Sequence, residues 1–230
     1  MGSIGSNLQE VKRRIAAACK HAGRPANSVT LLAVSKTFDA DAVRQALASG
    51  QLAFGENYVQ EALAKIDALA DLRPQLQWHF IGPLQSNKTR AVAEAFDWVH
   101  SVDRLKIAQR LAAQRPAGLP PLNLCLQVNI SGEASKGGVA PADLPALALA
   151  VAALPSSSVR LRGLMAIPEA ATGDAAQRAP HHALRLLQSA LQAAGLELDT
   201  LSMGMSDDLE AAVAEGASLV RVGTAIFGRR

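Results

Sequence analysis

The stretch "VTLLAVSKTF", residues 29–38, decides the fold of this 230-residue chain. Its first six residues form a continuous, mostly apolar run, a pattern typical of a strand that is buried on both faces. Strands of this kind belong to parallel sheets that are covered by helices. The run ends at Ser35 and Lys36, so the sequence also predicts an ammonium group directly after a buried strand.

A strand followed by a helix recurs along the whole chain. We predict strands at residues 29–35, 52–55, 77–81, 98–102, 122–130, 160–166, 200–203 and 219–222. The predicted helices span residues 7–22, 41–48, 58–69, 88–95, 104–113, 142–154, 179–194 and 208–215. After the sixth strand, residues 169–182 ("EAATGDAAQRAPHH") are interpreted as a mobile loop with solvated His181 and His182.

Eight such units favour an α/β fold closed into a (β/α)8 TIM barrel, which typically takes ~250 residues. We expect a single domain over residues 1–230, with an additional N-terminal helix. An open, doubly wound sheet is the alternative, although no G-x-G-x-x-G motif follows the first strand.

Composition narrows the classes of function. The net charge of +3 is dispersed, which argues against nucleic-acid binding and suits an anionic small ligand. Cys19 and Cys125 lack a C-x-x-C pattern, so we expect reduced thiols, no metal site and a cytoplasmic protein. The longest apolar run, residues 146–154, is shorter than the ~20 residues that span a bilayer, so no membrane contact is expected. A monomer is expected.

In a barrel of this kind, the functional face lies at the carboxyl ends of the strands. Of seven lysines, only Lys36 ends a strongly apolar strand. Apolar surroundings disfavour a charged amine, and a neutral amine forms Schiff bases with aldehydes and ketones. The alternatives are a lysine that simply reaches solvent, or one that pairs with Glu56.

The ends of the last two strands suggest an anion site. The segments "MGMSDD" and "VGTAIFG" supply the hydroxyls of Ser206 and Thr224 and the open backbone of Gly223. Barrels often bind phosphate at these two loops, although ordinary helix capping would produce the same pattern. Asp207 and Asp208 are expected to point outward.

Arg221 lies within an apolar strand, where an unpaired guanidinium would be costly. A carboxylate or a ligand atom is expected to satisfy it, in the commoner case as a structural ion pair. His79, Asn57 and Ser101 lie near strand ends, where packing or hydrogen bonding is the usual role of such residues. No G-x-S-x-G, Walker or H-E-x-x-H motif is present.

Several longer segments resemble a known family in order, from about residue 8 to residue 228. They are "LLAVSKT", "FGENYVQEALAK", "WHFIGPLQSNK", "HSVDR", "VNISGEASKGG", "GLMAIP", "LSMGMSDDLEAA" and "VRVGTAIFG". Together they resemble the pyridoxal phosphate homeostasis proteins. The resemblance implies a fold type III barrel, similar to the N-terminal barrel of alanine racemase, that holds pyridoxal 5′-phosphate (PLP) as a Schiff base.

The resemblance also assigns residues to the cofactor. It implies a Schiff base at Lys36, with Asn57 beside the ring and Arg221 near the pyridine nitrogen. Phosphate contacts are implied for Ser206, Gly223 and Thr224, and His79 and Met203 are further candidates. An arginine partner leaves the ring nitrogen unprotonated, which makes the ring a weaker electron sink than in transaminases.

The family implies a PLP carrier and regulator of vitamin B6 balance, without established catalysis, that donates PLP to apo-enzymes. A PLP-dependent racemase-like enzyme, a lysine aldolase and a non-covalent phosphate-ligand module are the alternatives. Two-base racemisation needs a group opposite the lysine, whereas the chain has a single tyrosine, Tyr58. We also hypothesise that Lys136, in "GEASKGG", receives the aldehyde transiently.

Overall fold

The computed structural model describes residues 2–133 and 136–228 and contains a closed parallel barrel. Each strand pairs with the next in sequence, and the last pairs with the first. The strands are β1 (Thr30–Val34), β2 (Ala53–Glu56), β3 (Gln77–Phe80), β4 (Trp98–Val102), β5 (Leu122–Gln127), β6 (Val159–Met165), β7 (Thr200–Ser202) and β8 (Leu219–Val222). The predicted (β/α)8 barrel is confirmed, and the alternative of an open sheet is wrong.

Helices cover the outside of the barrel. They are α1 (Ile4–His21), α2 (Ala40–Ala48), α3 (Val59–Ala68), α4 (Thr89–Ala95), α5 (Leu105–Gln114), α6 (Leu144–Ala152), α7 (Asp174–Ala193), α8 (Leu209–Ala214) and α9 (Thr224–Phe227). Two 3-10 helices, Ala70–Gln75 and Ser86–Lys88, lie before and after β3. Helix α1 packs on α8, α9 and α2, so it covers the barrel beside the junction of β8 and β1.

The structure corrects the predicted mobile loop. Helix α7 begins at Asp174, so residues 174–182 are helical, and His181 is fully buried on the inner face of α7. The segment "DAAQRA" is rich in helix formers and has an acidic residue in the first turn, which favours the observed helix. The side chain of His182 is about half exposed, so the prediction of a solvated histidine is confirmed for His182 alone.

The end of β5 differs from its predicted position. The strand ends at Gln127 rather than at residue 130, and the next residue, Val128, forms an isolated parallel bridge with Val139. The short helix α9 was not predicted. Its four residues are too few to show a helical period in the sequence.

Two packing layers hold the barrel together. Between strands and helices lie large buried side chains such as Phe54, Trp78 and Phe80. Inside the barrel, a smaller apolar cluster of Leu32, Ala53, Ile81 and Leu219 fills the side near β1, β2 and β8. Cys19 and Cys125 are free and buried. Within the described ranges, no helix is both long and apolar enough to cross a membrane.

Candidate functional site

A cavity of about 750 Å³ opens at the carboxyl ends of the strands. Its wall combines residues that follow β1, β2, β7 and β8, which approach one another because the barrel closes between β8 and β1. Six of the eight cofactor-contact residues predicted from the resemblance line this one cavity: Lys36, Asn57, Ser206, Arg221, Gly223 and Thr224. Apolar side chains complete the wall, among them Val34, Ile81, Ile167 and Met205.

Lys36 extends into this cavity, and its side chain is exposed. The expectation of a poorly solvated amine is therefore wrong for this structure, because the cavity is open at the point where β1 ends. The next residue, Thr37, has a positive φ of 67°, and its amide donates to Glu61 Oε1 at 2.5 Å. This left-handed turn makes the chain leave the strand abruptly at Lys36.

Glu56 does not pair with Lys36, which overturns that alternative. Its carboxylate lies 2.6 Å from Lys65 Nζ, and both side chains are buried. Lys65 also donates to the carbonyl oxygen of Ser35 at 2.8 Å, and Ser35 Oγ donates to Glu56 Oε1 at 2.6 Å. The pair therefore fixes the backbone immediately before Lys36.

Burial raises the pKa of Glu56, and the charge and hydrogen bond of Lys65 offset this only in part. The second carboxylate oxygen, Oε2, has no hydrogen-bond partner in the described structure. Sequence reasoning did not single out Lys65. Its signal was present, because Lys65 continues the spacing of Val59 and Ala62 on the buried face of α3.

Arg221 is buried on β8, with 4% of its surface exposed. Nη1 donates to the carbonyl oxygen and to Oγ of Ser202, at 2.7 and 2.8 Å, and Nη2 donates to the carbonyl oxygen of Ala166 at 2.9 Å. The expected carboxylate contact is thus wrong, because neutral oxygens satisfy the guanidinium. Burial lowers the pKa of Arg221 to about 10, partly countered by the charge of Asp208. The side chain therefore remains charged at neutral pH.

The loop that contains Ser206 is held from two sides. Asp208 Oδ1 accepts from the amide of Met205 at 2.6 Å, and Oδ2 lies 3.0 Å from His181 Nε2. Arg14 of α1 donates to the carbonyl oxygen of Ser206 at 3.1 Å. Asp208 therefore points toward the protein, which corrects the predicted outward orientation, whereas Asp207 is exposed.

Burial alone would raise the pKa of Asp208, but its hydrogen bonds from His181 and Met205 prevail and lower it. The carboxylate is therefore ionised at neutral pH and braces the loop. Across the cavity, a Cβ added to Gly223 would lie 3.1 Å from the carbonyl oxygen of Val34, which explains why glycine suits this position.

Two predicted contact residues lie away from the cavity wall described here. Met203 is fully buried in the cluster between strands and helices. His79 lies deeper in the barrel, where Nδ1 is 2.9 Å from Nε2 of His100. Sequence reasoning missed His100 and Ser202, although the alternation of inward residues along β4 and β7 could have indicated them.

Tyr58 and Lys136 also lie outside the described cavity lining. Tyr58 is 57% exposed at the start of α3 and is not part of the described cavity wall. Lys136 Nζ pairs with Glu133 at 2.5 Å, and the described lining of the cavity does not include it. Residues 134 and 135 of the "GEASKGG" motif lie outside the described residues, and a transient role of Lys136 stays a prediction.

Comparisons with known proteins agree with this architecture. The family model described as "Alanine racemase, N-terminal domain" matches residues 6–230. The "Pyridoxal phosphate homeostasis protein" of Pseudomonas aeruginosa is 64% identical, with 100% of this chain and 97% of the relative covered. The protein of that name from Escherichia coli (strain K12) is 52% identical, with 100% and 98% covered.

Among solved structures, PipY of Synechococcus elongatus PCC7942 with PLP bound is 42% identical with a TM-score of 0.83. The match covers 98% of this chain and 100% of PipY. The resemblance found in the sequence motifs is thereby confirmed over essentially the full length. The chain belongs to the pyridoxal phosphate homeostasis protein family, within the larger family of alanine racemase N-terminal domains.

Proposed function

We propose that this chain binds PLP in the cavity at the barrel mouth and serves vitamin B6 homeostasis as a PLP carrier. The observation that carries the proposal is the convergence of Lys36, Arg221 and Ser206 on one cavity at the strand ends. Close relatives are named as PLP homeostasis proteins, and the related PipY structure has PLP bound.

The donor set of the cavity fits PLP. Asn57 Oδ1 is buried without a hydrogen-bond partner in the described structure, so it can accept a hydrogen bond from an occupant. Three of the five N–H donors of Arg221 bind protein oxygens, which leaves Nε–H and one Nη2–H for a ligand acceptor such as a pyridine nitrogen. The hydroxyls of Ser206 and Thr224, beside the open backbone of Gly223, suit a phosphate group.

Lys36 is the proposed covalent anchor. When bound, PLP supplies an aldehyde, and condensation of that aldehyde with the Lys36 amine gives a Schiff base and releases one water molecule. No hydrogen bond or ion pair to another described residue holds the Lys36 amine back, so it is free to reach an aldehyde in the cavity. The neighbouring Glu56–Lys65 pair fixes the turn from which Lys36 extends.

The cavity supports carriage better than racemisation. Two-base racemisation needs a second proton-transferring group facing the lysine, and Tyr58 lies outside the described cavity wall. The Arg221 guanidinium does not give up its proton at neutral pH, so it does not protonate a ring nitrogen. We therefore propose a monomeric, cytoplasmic and non-catalytic protein of one domain that releases PLP to apo-enzymes through the open mouth.

The first test is covalent trapping. PLP is titrated into the apo-protein by absorbance, the complex is reduced with borohydride, and the labelled lysine is identified by peptide mass spectrometry. We expect the label on Lys36 and its loss in Lys36→Ala, whereas Lys106→Ala, a change at an exposed lysine of α5, keeps it. A label that persists elsewhere in Lys36→Ala, or wild-type protein that binds no PLP, would contradict the proposal.

The second test separates a carrier from an enzyme. The PLP-loaded protein is mixed with a PLP-dependent apo-enzyme, and recovery of that enzyme's activity is compared with recovery on free PLP at the same concentration. We expect recovery from the loaded protein and no racemisation of L-alanine by the protein alone. Racemisation at enzyme-like rates that is lost in Lys36→Ala would favour the racemase-like alternative.

A further inference from the structure

The barrel interior contains a chain of hydrogen bonds that ends at Arg221 in the cavity wall. His79 Nε2 lies 3.0 Å from Gln77 Oε1, and His79 Nδ1 lies 2.9 Å from His100 Nε2. His100 Nδ1 is 2.8 Å from Ser202 Oγ, to which Arg221 Nη1 donates at 2.8 Å. Gln77 is exposed at the amino end of β3. The series of hydrogen bonds therefore runs from the barrel face at the amino ends of the strands to the cavity at their carboxyl ends.

The guanidinium fixes the direction of this chain. Arginine can only donate, so Ser202 Oγ accepts from Arg221 and its own hydrogen is directed at His100 Nδ1. His100 then carries its hydrogen on Nε2 and donates to His79 Nδ1. His79 in turn carries its hydrogen on Nε2 and donates to Gln77 Oε1. Every donor in this order meets an acceptor.

The opposite order leaves groups unsatisfied. If both imidazoles carried hydrogen on Nδ1, His100 would donate to Ser202 Oγ, and the Ser202 hydroxyl would need another acceptor. None is found for it among the described residues. His79 Nε2 would also face the amide oxygen of Gln77, lone pair against lone pair, unless that amide were reversed.

Both imidazoles are neutral, as this order requires. Burial lowers the pKa of His79 to about 3, and it lowers the pKa of His100 well below its usual value, with smaller contributions from His79 and Arg221. The His79 ring also stacks on Trp98, with centroids 5.3 Å apart and planes within 6°. Rotation of the ring is thereby restricted.

The chain also explains how Arg221 stays charged without a carboxylate in contact. The hydroxyl, both imidazoles and the amide each direct their acceptor atom toward the guanidinium. The negative ends of their dipoles therefore all face the positive charge of Arg221. Aligned hydrogen bonds polarise one another in a low-dielectric interior. The same alignment holds Nη1 in place and so determines where the remaining N–H groups of Arg221 point.

We propose that His79 and His100 are positioning residues, which act through Ser202 to orient the Arg221 guanidinium at the cavity. Neither His79 nor His100 belongs to the described cavity lining, so they act on the donor geometry that an occupant meets rather than on the occupant itself. Where PLP is the occupant, the inference rests on the proposed function. The order of hydrogens in the chain is a property of the protein without PLP.

The first test uses the apo wild-type protein labelled with 15N in histidine. Long-range proton–nitrogen correlation at pH 7 reports which ring nitrogen carries the hydrogen. We expect His79 and His100 both as neutral Nε2–H tautomers, with the exposed ring of His21 as an internal comparison. An Nδ1–H tautomer or a charged ring at either position would overturn the proposal, and no variant has to fold for this result.

The second test removes one atom from the chain of hydrogen bonds. Ser202→Ala removes Oγ and keeps the carbonyl oxygen that Arg221 also contacts, and a hydrogen bond to a charged group justifies an expected loss of about tenfold in PLP affinity. The matched control is Ser101→Ala, a buried serine on β4 whose hydroxyl has no partner in the described structure, and its affinity is expected to equal that of wild type.

Equal PLP affinities of Ser202→Ala and Ser101→Ala would show that the chain does not position Arg221. Failure of the wild type to bind PLP would instead remove the proposed function. In that case the tautomers of His79 and His100 in the apo-protein still decide whether the chain of hydrogen bonds exists.

Discussion

Two lysines lie at the carboxyl end of β1 in opposite environments. Lys65 Nζ is buried, 2.6 Å from Glu56 and 2.8 Å from the carbonyl oxygen of Ser35. Lys36 directly follows Ser35, and its side chain is exposed in the cavity. Within the described part of the protein, no ion pair or hydrogen bond of the Lys36 amine is found. One amine therefore stabilises the turn, and the other remains available for a ligand.

The difference shows that an apolar strand before a lysine does not determine the environment of its amine. Lys36 follows the buried strand but extends into open space, whereas Lys65 comes from a helix and occupies the interior. A buried amine is tolerated here because a carboxylate and a carbonyl oxygen compensate its charge. The two lysines are thus distinguished by their partners rather than by their position in the sequence.

The largest expected loss of stability follows from a substitution at Lys65. Lys65→Met removes one partner of a buried ion pair and leaves Glu56 uncompensated, so we expect the free energy of unfolding to fall by about 3–5 kcal/mol. Urea denaturation measures this loss. Lys106→Met, at an exposed position of α5, is the control and is expected to change stability by less than about 0.5 kcal/mol.

A double variant sharpens this result. Glu56→Gln in the Lys65→Met background removes the stranded charge and is expected to recover part of the lost stability. A single Lys65→Met variant that loses less than about 1 kcal/mol would mean that the buried pair is not a major support of the β1 end.

A smaller effect is expected in the pH dependence of stability. Because burial raises the pKa of Glu56 above its unfolded value, the folded protein takes up this proton first as the pH falls. Wild type should therefore gain stability relative to Glu56→Gln between neutral pH and about pH 4.5. Urea unfolding at a series of pH values tests this; a relative loss of wild-type stability on acidification would contradict the raised pKa.

The smallest expected change in stability follows from a substitution at Lys36. Lys36→Ala removes an exposed side chain without a described partner, so the free energy of unfolding should change by no more than about 0.5 kcal/mol. Thermal and urea unfolding of the apo-protein measure this. A loss as large as that of Lys65→Met would show that Lys36 supports the fold and would weaken the contrast between the two lysines.

The fold could be read from the sequence because its signals are local. Apolar runs such as residues 29–34 predict strands without knowledge of any distant residue, and β4 and β8 were placed at their observed bounds. The predicted start of α7 at residue 179 was wrong, because the alanine-rich residues 174–179 favour a helix from Asp174 onward.

Much of the candidate site could also be anticipated, since strand ends in a parallel barrel lie on one face. Lys36, Arg221 and Ser206 were placed there from sequence and motif resemblance, and the structure brings them to one cavity. Two of the partners of Arg221 could not be anticipated, because the carbonyl oxygens of Ser202 and Ala166 are backbone atoms, which any residue type supplies.

By itself, the sequence determined the alternation of strands and helices, the lysine that ends β1 and the glycine and hydroxyl residues after β7 and β8. Only the tertiary structure decided that Glu56 pairs with Lys65, that His181 is buried against Asp208, and that two histidines join Arg221 to the far side of the barrel. The physical reason is that burial and hydrogen-bond partners are set by tertiary packing, which brings together side chains from different strands and helices.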